Sequence, residues 1–165
     1  MTAPVDELSV LLKSLSYDLR VYVSAGRLRP TGGSGGLTKA VAEQVHALVV
    51  ELYEGYWHQY AYDTAGPASA PQIELSLYPK SLAEATALLG ELASASLMFP
   101  EFAFMDRAEA ESIAARVVGL LGPGARWWSN RDDLSVDSVT SCSFDTFVIG
   151  SDGDRFALLI QVGDD

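Results

Sequence analysis

The chain is poor in the residues that most often carry chemistry. Among 165 residues there is one cysteine, Cys142, and there are two histidines, His46 and His58. A single thiol excludes an intrachain disulfide and any zinc site built from several cysteines. His46 and His58 stand on one expected helix, rotated by about 120° from each other, so they cannot grip one metal ion together. Glu43 and His46 are spaced as half of a metal site, but the other half is missing unless a distant carboxylate or a second subunit supplies it. No metal and no cofactor is expected.

Positive charge is also scarce. Lys and Arg number 11 against 22 Asp and Glu, a net charge of -11. Phosphate recognition needs clustered bases that displace counterions, so duplex nucleic acid is a poor partner. Anionic membrane surfaces are disfavoured for the same reason. No apolar run approaches the roughly 18 residues that span a bilayer. Asp6 and Glu7 stand where an export signal would need a basic start and an apolar run. A cytoplasmic location is therefore expected.

The remaining composition is that of a globular domain: 48% hydrophobic and 20% charged. Its length suits a single core. The net charge exceeds the roughly 2–8 that solubility asks of a small domain, which leaves room for electrostatic steering of a basic protein partner. The charge is uneven. Residues 1–42 carry five bases and three acids, residues 43–105 one base and eight acids, and residues 106–165 five bases and eleven acids.

Periodicity gives the elements. Residues 3–15 read as an amphipathic helix capped by Thr2, with Val5, Leu8, Leu11, Leu12 and Leu15 on one stripe. Residues 17–24 alternate as a half-buried strand, with Leu19, Val21 and Val23 on one side. Residues 26–36 form a flexible Gly-rich loop. A helix over 38–58 buries Val41, Val45, Leu48, Leu52 and Tyr56. Residues 72–78 alternate as a second strand. Ser81 and Glu84 form a capping box for a helix to about residue 95. Residues 100–105 suggest a short strand, and Asp106 caps a helix that Gly122-Pro123-Gly124 stops. Residues 144–150 and 155–162 flank Asp152-Gly153-Asp154, a hairpin signal. Both runs are nearly continuously apolar, so the hairpin should lie inside the sheet with both faces covered. The expected architecture is a single α+β domain over 1–165, two-layered, with about four helices on a mixed sheet that ends in this hairpin.

Two places could carry function. The first is residues 51–63, ELYEGYWHQYAYD, with five aromatics in ten positions. That exceeds what one helix stripe can bury. Aromatics rimmed by acids are the composition of a binding hot spot for a basic partner. Glu51, Tyr53, Glu54, Trp57, Tyr60, Tyr62 and Asp63 are the expected contact residues. Trp127 and Trp128 join them, because neighbours in an extended segment face opposite ways and both should not be core. The second is the Gly-rich loop, which sits between a strand and a helix where backbone amides can cradle an anion. Arg27, Arg29, Gly33, Ser34, Gly35 and Lys39 would form that site. The P-loop pattern is not met, since Gly36-Leu37-Thr38-Lys39 places the lysine two residues late. Cys142 lies among Thr140, Ser141 and Ser143 with no nucleophile-elbow pattern around it, and suits a strand thiol.

The end of the chain, Gly122-Pro123-Gly124-Ala125-Arg126-Trp127-Trp128-Ser129-Asn130, then Ser143-Phe144-Asp145 and the acidic terminus Gly163-Asp164-Asp165, resembles small acidic bacterial proteins of unassigned function. These are similar in size and charge to immunity proteins of bacterial toxin systems. The resemblance implies a non-catalytic protein that neutralises a toxin by masking its active site. It assigns no functional residue. The leading expectation is a protein-binding domain for a basic partner. The alternatives are a small-ligand protein or enzyme using residues 26–39, and a homodimer joined through its own aromatic patch.

Overall fold

A computed structural model of the chain describes residues 6–28, 36–55, 67–133, 135–140, 142 and 144–163. Five helices and five strands occur among them. Their order is α1 (Glu7–Ser14), β1 (Val21–Arg27), α2 (Gly36–Gly55), α3 (Ala70–Leu75), β2 (Tyr78–Lys80), α4 (Leu82–Ser94), α5 (Arg107–Leu121), β3 (Arg126–Ser129), β4 (Phe144–Ser151) and β5 (Arg155–Gly163). The strands form one sheet in the order β1-β5-β4-β3-β2. Every pairing is antiparallel, so the expected mixed sheet is corrected. Successive strands that pair through a hairpin, as β4 and β5 do, need no parallel crossover.

The β4–β5 hairpin behaves as its sequence foretold. The Asp152 carboxylate accepts from the amides of Asp154 (2.9 Å) and Arg155 (2.7 Å), and Gly153 takes a φ of 98°. Its side chains are buried on both faces. Val148, Ala157 and Leu159 meet α1, α4 and α5. Phe147, Ile149, Phe156, Leu158 and Ile160 meet α2 and α3. The architecture is thus three layers and not the expected two. A sheet whose middle strands are apolar on both sides must be covered on both sides.

Trp127 and Trp128 illustrate the consequence. They point to opposite faces, as expected, yet both are core, at 1% and 2% exposure. The expectation that they lie on a partner-binding surface is corrected, because each face of the sheet has its own helical cover. Trp127 pairs with Gly150 across the β3–β4 ladder, and a Cβ at Gly150 would stand 2.3 Å from the indole ring. The glycine is there so that the ring can lie across the strand.

Four other expectations change. Residues 72–78 are not a strand. Ser69 and Gln72 form a capping box with Pro71 in the first turn, and α3 follows. Only Ile73 of its apolar residues is buried, while Leu75 is 85% exposed. Residues 100–105 contribute only an isolated bridge, Ala95 to Ala103. The first helix is capped by Asp6, whose carboxylate accepts from the Leu8 amide at 3.1 Å; Thr2 and Val5 lie outside the described residues. Of the loop expected over 26–36, Gly26 and Arg27 belong to β1 and Gly36 opens α2. Tyr56 also lies outside the described residues.

Buried polar groups pin the loops to this frame. The Asp145 carboxylate, 3% exposed, receives five donors: the Val139 and Thr140 amides, the Ser138 and Thr140 hydroxyls and the Asn130 side-chain amide. Asn130 also accepts from the Phe147 amide at 2.8 Å. Together they hold residues 137–140 against β4. No helix among the described residues is long and apolar enough to cross a membrane.

Two outcomes follow from these contacts. Gly150→Ala must displace an indole from a packed core, and should cost about 3 kcal/mol in urea unfolding; a loss within error would mean that Trp127 is not held across β4. Lowering pH should also destabilise the fold. The Ser81 amide and hydroxyl hold Glu84 below the ordinary 4.5. For Asp152, burial pushes upward, but the Arg155 and Asp154 amides and the Arg155 guanidinium outweigh it and hold the carboxyl below 3.8. Both groups are depressed in the folded state, so the unfolded chain takes up protons first. Stability should be full above these ordinary values and fall as pH drops through and below them. A melting temperature that stays level as pH is lowered from neutral through these values would contradict this.

Candidate docking surface

The open side of the sheet is built by β1. Among the described strands it lies at an edge, bonded to β5 on one side. The Leu28 amide donates to the Asp154 carbonyl, and the Val162 amide to the Arg20 carbonyl. Even-numbered residues of this stretch therefore face β5, and odd-numbered ones face away. Val21 faces away, and Tyr17 takes up both of its backbone groups, at 2.8 and 3.0 Å. Val23 and Ala25 face the same way. No described residue bonds their N–H or C=O groups.

Along this edge runs a groove of about 790 Å³. One wall is α1 and its end, with Leu12 and Lys13. The other is α2, with Leu48, Glu51 and Leu52. The two helices cover opposite faces of the sheet, so the groove straddles the edge and the backbone of β1 forms its floor.

At one end of the groove stands the turn that feeds β1. The Arg20 and Val21 amides both donate to the Tyr17 carbonyl. Leu19 sits inside this turn at a φ of 67°, the sole non-glycine residue with positive φ among those described. For a leucine this backbone is strained. Its side chain is 65% exposed, so the strain is not repaid by burial. The expected strand over 17–24 is corrected here: the turn ends at Arg20 and Leu19 points outward.

Aromatic rings gather beside that turn. Tyr17 stacks on Phe104 at 4.5 Å between centroids, and Phe102 meets both edge-on at 6.4 and 5.7 Å. Phe102 and Phe99 are about half exposed. The segment that carries them is positioned by Gln161 of β5, a buried side chain directly opposite Val21. Its amide donates to the Leu92 and Ala95 carbonyls and accepts from the Leu97 amide, at 2.8 to 3.0 Å. The apolar cluster and the strand edge are therefore tied to one point of the sheet.

The residues expected from sequence are only partly assembled here. Glu51 is exposed and lines the groove. Glu54 is exposed at the end of α2, and Tyr53 is half-buried against the α2–α3 core. Trp57, Tyr60, Tyr62 and Asp63 lie outside the described residues, as do Arg29, Gly33, Ser34 and Gly35 of the expected anion site. Of that site, Arg27 is engaged by Asp154 at 3.1 Å across the hairpin end, and Lys39 is exposed on α2. A second cleft, of about 250 Å³, holds Lys80, Arg107 and Arg131. Its arginines are matched by Glu111 and Glu91, which leaves little free positive charge for an anion. No group of three metal-ligating side chains occurs among the described residues. Cys142 is buried.

Tyr17, Leu19, Phe99, Phe102 and the bare edge at Val23 and Ala25 were not singled out from sequence. The one local signal was three phenylalanines between positions 99 and 104, which the strand pattern absorbed. Comparison with known proteins adds nothing to the geometry: no family model, no curated protein and no solved structure matches the chain.

The strain at Leu19 can be measured. Leu19→Gly removes a side chain that buries little and relaxes a positive φ. It should raise stability by about 1 kcal/mol in urea unfolding. A loss of stability would show that the Leu19 side chain supports the fold.

Proposed function

We propose that this chain is a protein-binding domain, non-catalytic in its action, that engages a basic protein through the β1 end of the sheet. An immunity- or antitoxin-like inhibitor acts in this way. The observation that carries the proposal is the juxtaposition of exposed Leu19, Phe99 and Phe102 with an open strand edge and an acidic helix. Half-exposed aromatics anchored on a rigid frame are the usual centre of an interface. A net charge of -11 raises the encounter rate with a basic molecule and suppresses pairing between copies. The strain kept at Leu19 fits a surface selected for contact, since strained non-glycine turns concentrate at functional positions.

The test starts with co-purification from the native host at mild salt. The basic protein that is recovered is then made pure and titrated against the chain, against Leu19→Asp and against Phe102→Asp. A stoichiometric complex that each variant weakens by about tenfold or more, near 1.4 kcal/mol, is expected. Equal affinity for all three chains would overturn this placement of the surface. A stable homodimer at low concentration, broken by the same variants, would assign the patch to self-association instead.

A further inference from the structure

We infer that the partner contributes an extended segment with alternating basic and aliphatic side chains, which joins the sheet as a sixth strand beside β1. This deepens the proposed function and rests on it. The two edges of the sheet differ in how they are guarded. β2 is three residues long and carries Pro79, which has no N–H, and Lys80. Short length, proline and lysine are the devices that keep an edge from pairing. β1 is seven residues long and has neither proline nor lysine. Its open stretch within the groove is short. Tyr17 occupies Val21 at one end, and at the other the outward-facing Arg27, whose side chain pairs with Asp154, continues the edge beyond the groove. Between them Val23 and Ala25 offer two donors and two acceptors, facing into the groove.

The walls specify the side chains. Successive residues of an added strand point alternately to the two faces of the sheet. One set meets the α2 wall, where Glu51 stands beside Leu48 and Leu52. A lysine or arginine fits there, with its stem along the leucines and its charge at the carboxylate. The other set meets the α1 wall, where Leu12 lies beside Lys13. A second cation is repelled there, and an aliphatic side chain fits. Asp18 at the Tyr17 end adds a further carboxylate. A second copy of the chain is a poorer occupant. Its β1 carries no base before Arg27, and each copy brings the same negative charge.

The experiment uses the full chain and a fluorescein-labelled heptapeptide that alternates lysine and valine. Its comparators are the glutamate–valine counterpart and a lysine–valine peptide N-methylated at alternate residues. Saturable binding of the first peptide is expected, with slowed hydrogen exchange at the Val23 and Ala25 amides. The other two peptides should bind at least about tenfold more weakly. Ala25→Pro removes one outward donor that the β5 ladder does not use, and should weaken binding to a similar degree. Glu51→Lys should lower affinity for the lysine peptide and raise it for the glutamate peptide. No saturation at millimolar peptide, equal binding of the N-methylated peptide, or protection elsewhere in the chain would overturn the inference. So would a dimer that Ala25→Pro dissociates. If the native partner depends on Leu19 and Phe102 but tolerates Ala25→Pro, the binding-domain proposal stands and the added strand falls. The N-methylated peptide tests the same bonds should the proline variant fail to fold.

Discussion

Two adjacent strands that are apolar on both faces constrain everything else in this molecule. β4 and β5 pair from Phe144–Gly163 to Ser151–Phe156, and nearly every residue along them is buried. Neither face can be left to water, because each exposed aliphatic side chain would forgo about 1.5–3 kcal/mol of burial. The chain answers with α1, α4 and α5 on one side and α2, α3 and the 137–140 segment on the other. The polar residues caught between these layers are then forced into service. Asp145 gathers five donors and fixes the loop that follows β3, and Gln161 fastens the end of α4. Each is a group that would be costly if unpaired, and each therefore acts as a pin.

Among the described residues, covering both faces leaves the edges of the sheet open to the outside. A helix can shield a face, but a strand edge is closed only by pairing, by shortness or by residues that refuse to pair. β2 is closed in the second and third ways. Among the described residues, β1 is closed at one end only, where Tyr17 folds back on Val21. Within the groove the open edge is two outward residues wide, Val23 and Ala25. A pairing that short is too weak to hold a stray strand, which limits indiscriminate aggregation. Only a segment that also satisfies the α1 and α2 walls gains enough to stay. For the proposed added strand, narrowness of the opening and chemistry of the walls would act together as a specificity filter.

The helices and the hairpin were legible because their signals are local. Ser81 and Glu84 meet in space as their spacing requires, and Leu8, Leu11, Leu12 and Leu15 share a face for the same reason. Errors arose where two local signals competed. Residues 72–78 alternate with period two, but Ser69 and Gln72 close a capping box just before them, and the box won. A cap satisfies backbone donors directly, whereas alternation over a few residues gains nothing unless a neighbouring strand is in register. The layer count failed for a different reason. The hairpin was rightly expected to be covered on both faces, and that condition already requires a third layer. The same condition makes Trp127 and Trp128 core residues despite facing apart.

The candidate docking surface was illegible because its parts lie far apart in the chain. The 17–25 stretch, Glu51 and Phe102 come from three separate segments, and a glutamine on a fourth ties the first to the third. A search for clustered composition finds residues 51–63, where aromatics are neighbours in sequence. Neighbours on a helix point in different directions, so such clustering says little about a shared surface. Leu19 is hidden more deeply. Positive φ is advertised by glycine or asparagine, and a leucine in that conformation continues the period-two pattern of the strand that follows. Its position becomes visible only once the Tyr17–Val21 bonds show where the strand begins. What sets it apart is then the mismatch between its cost and its contribution: a strained backbone that presents an apolar side chain to water.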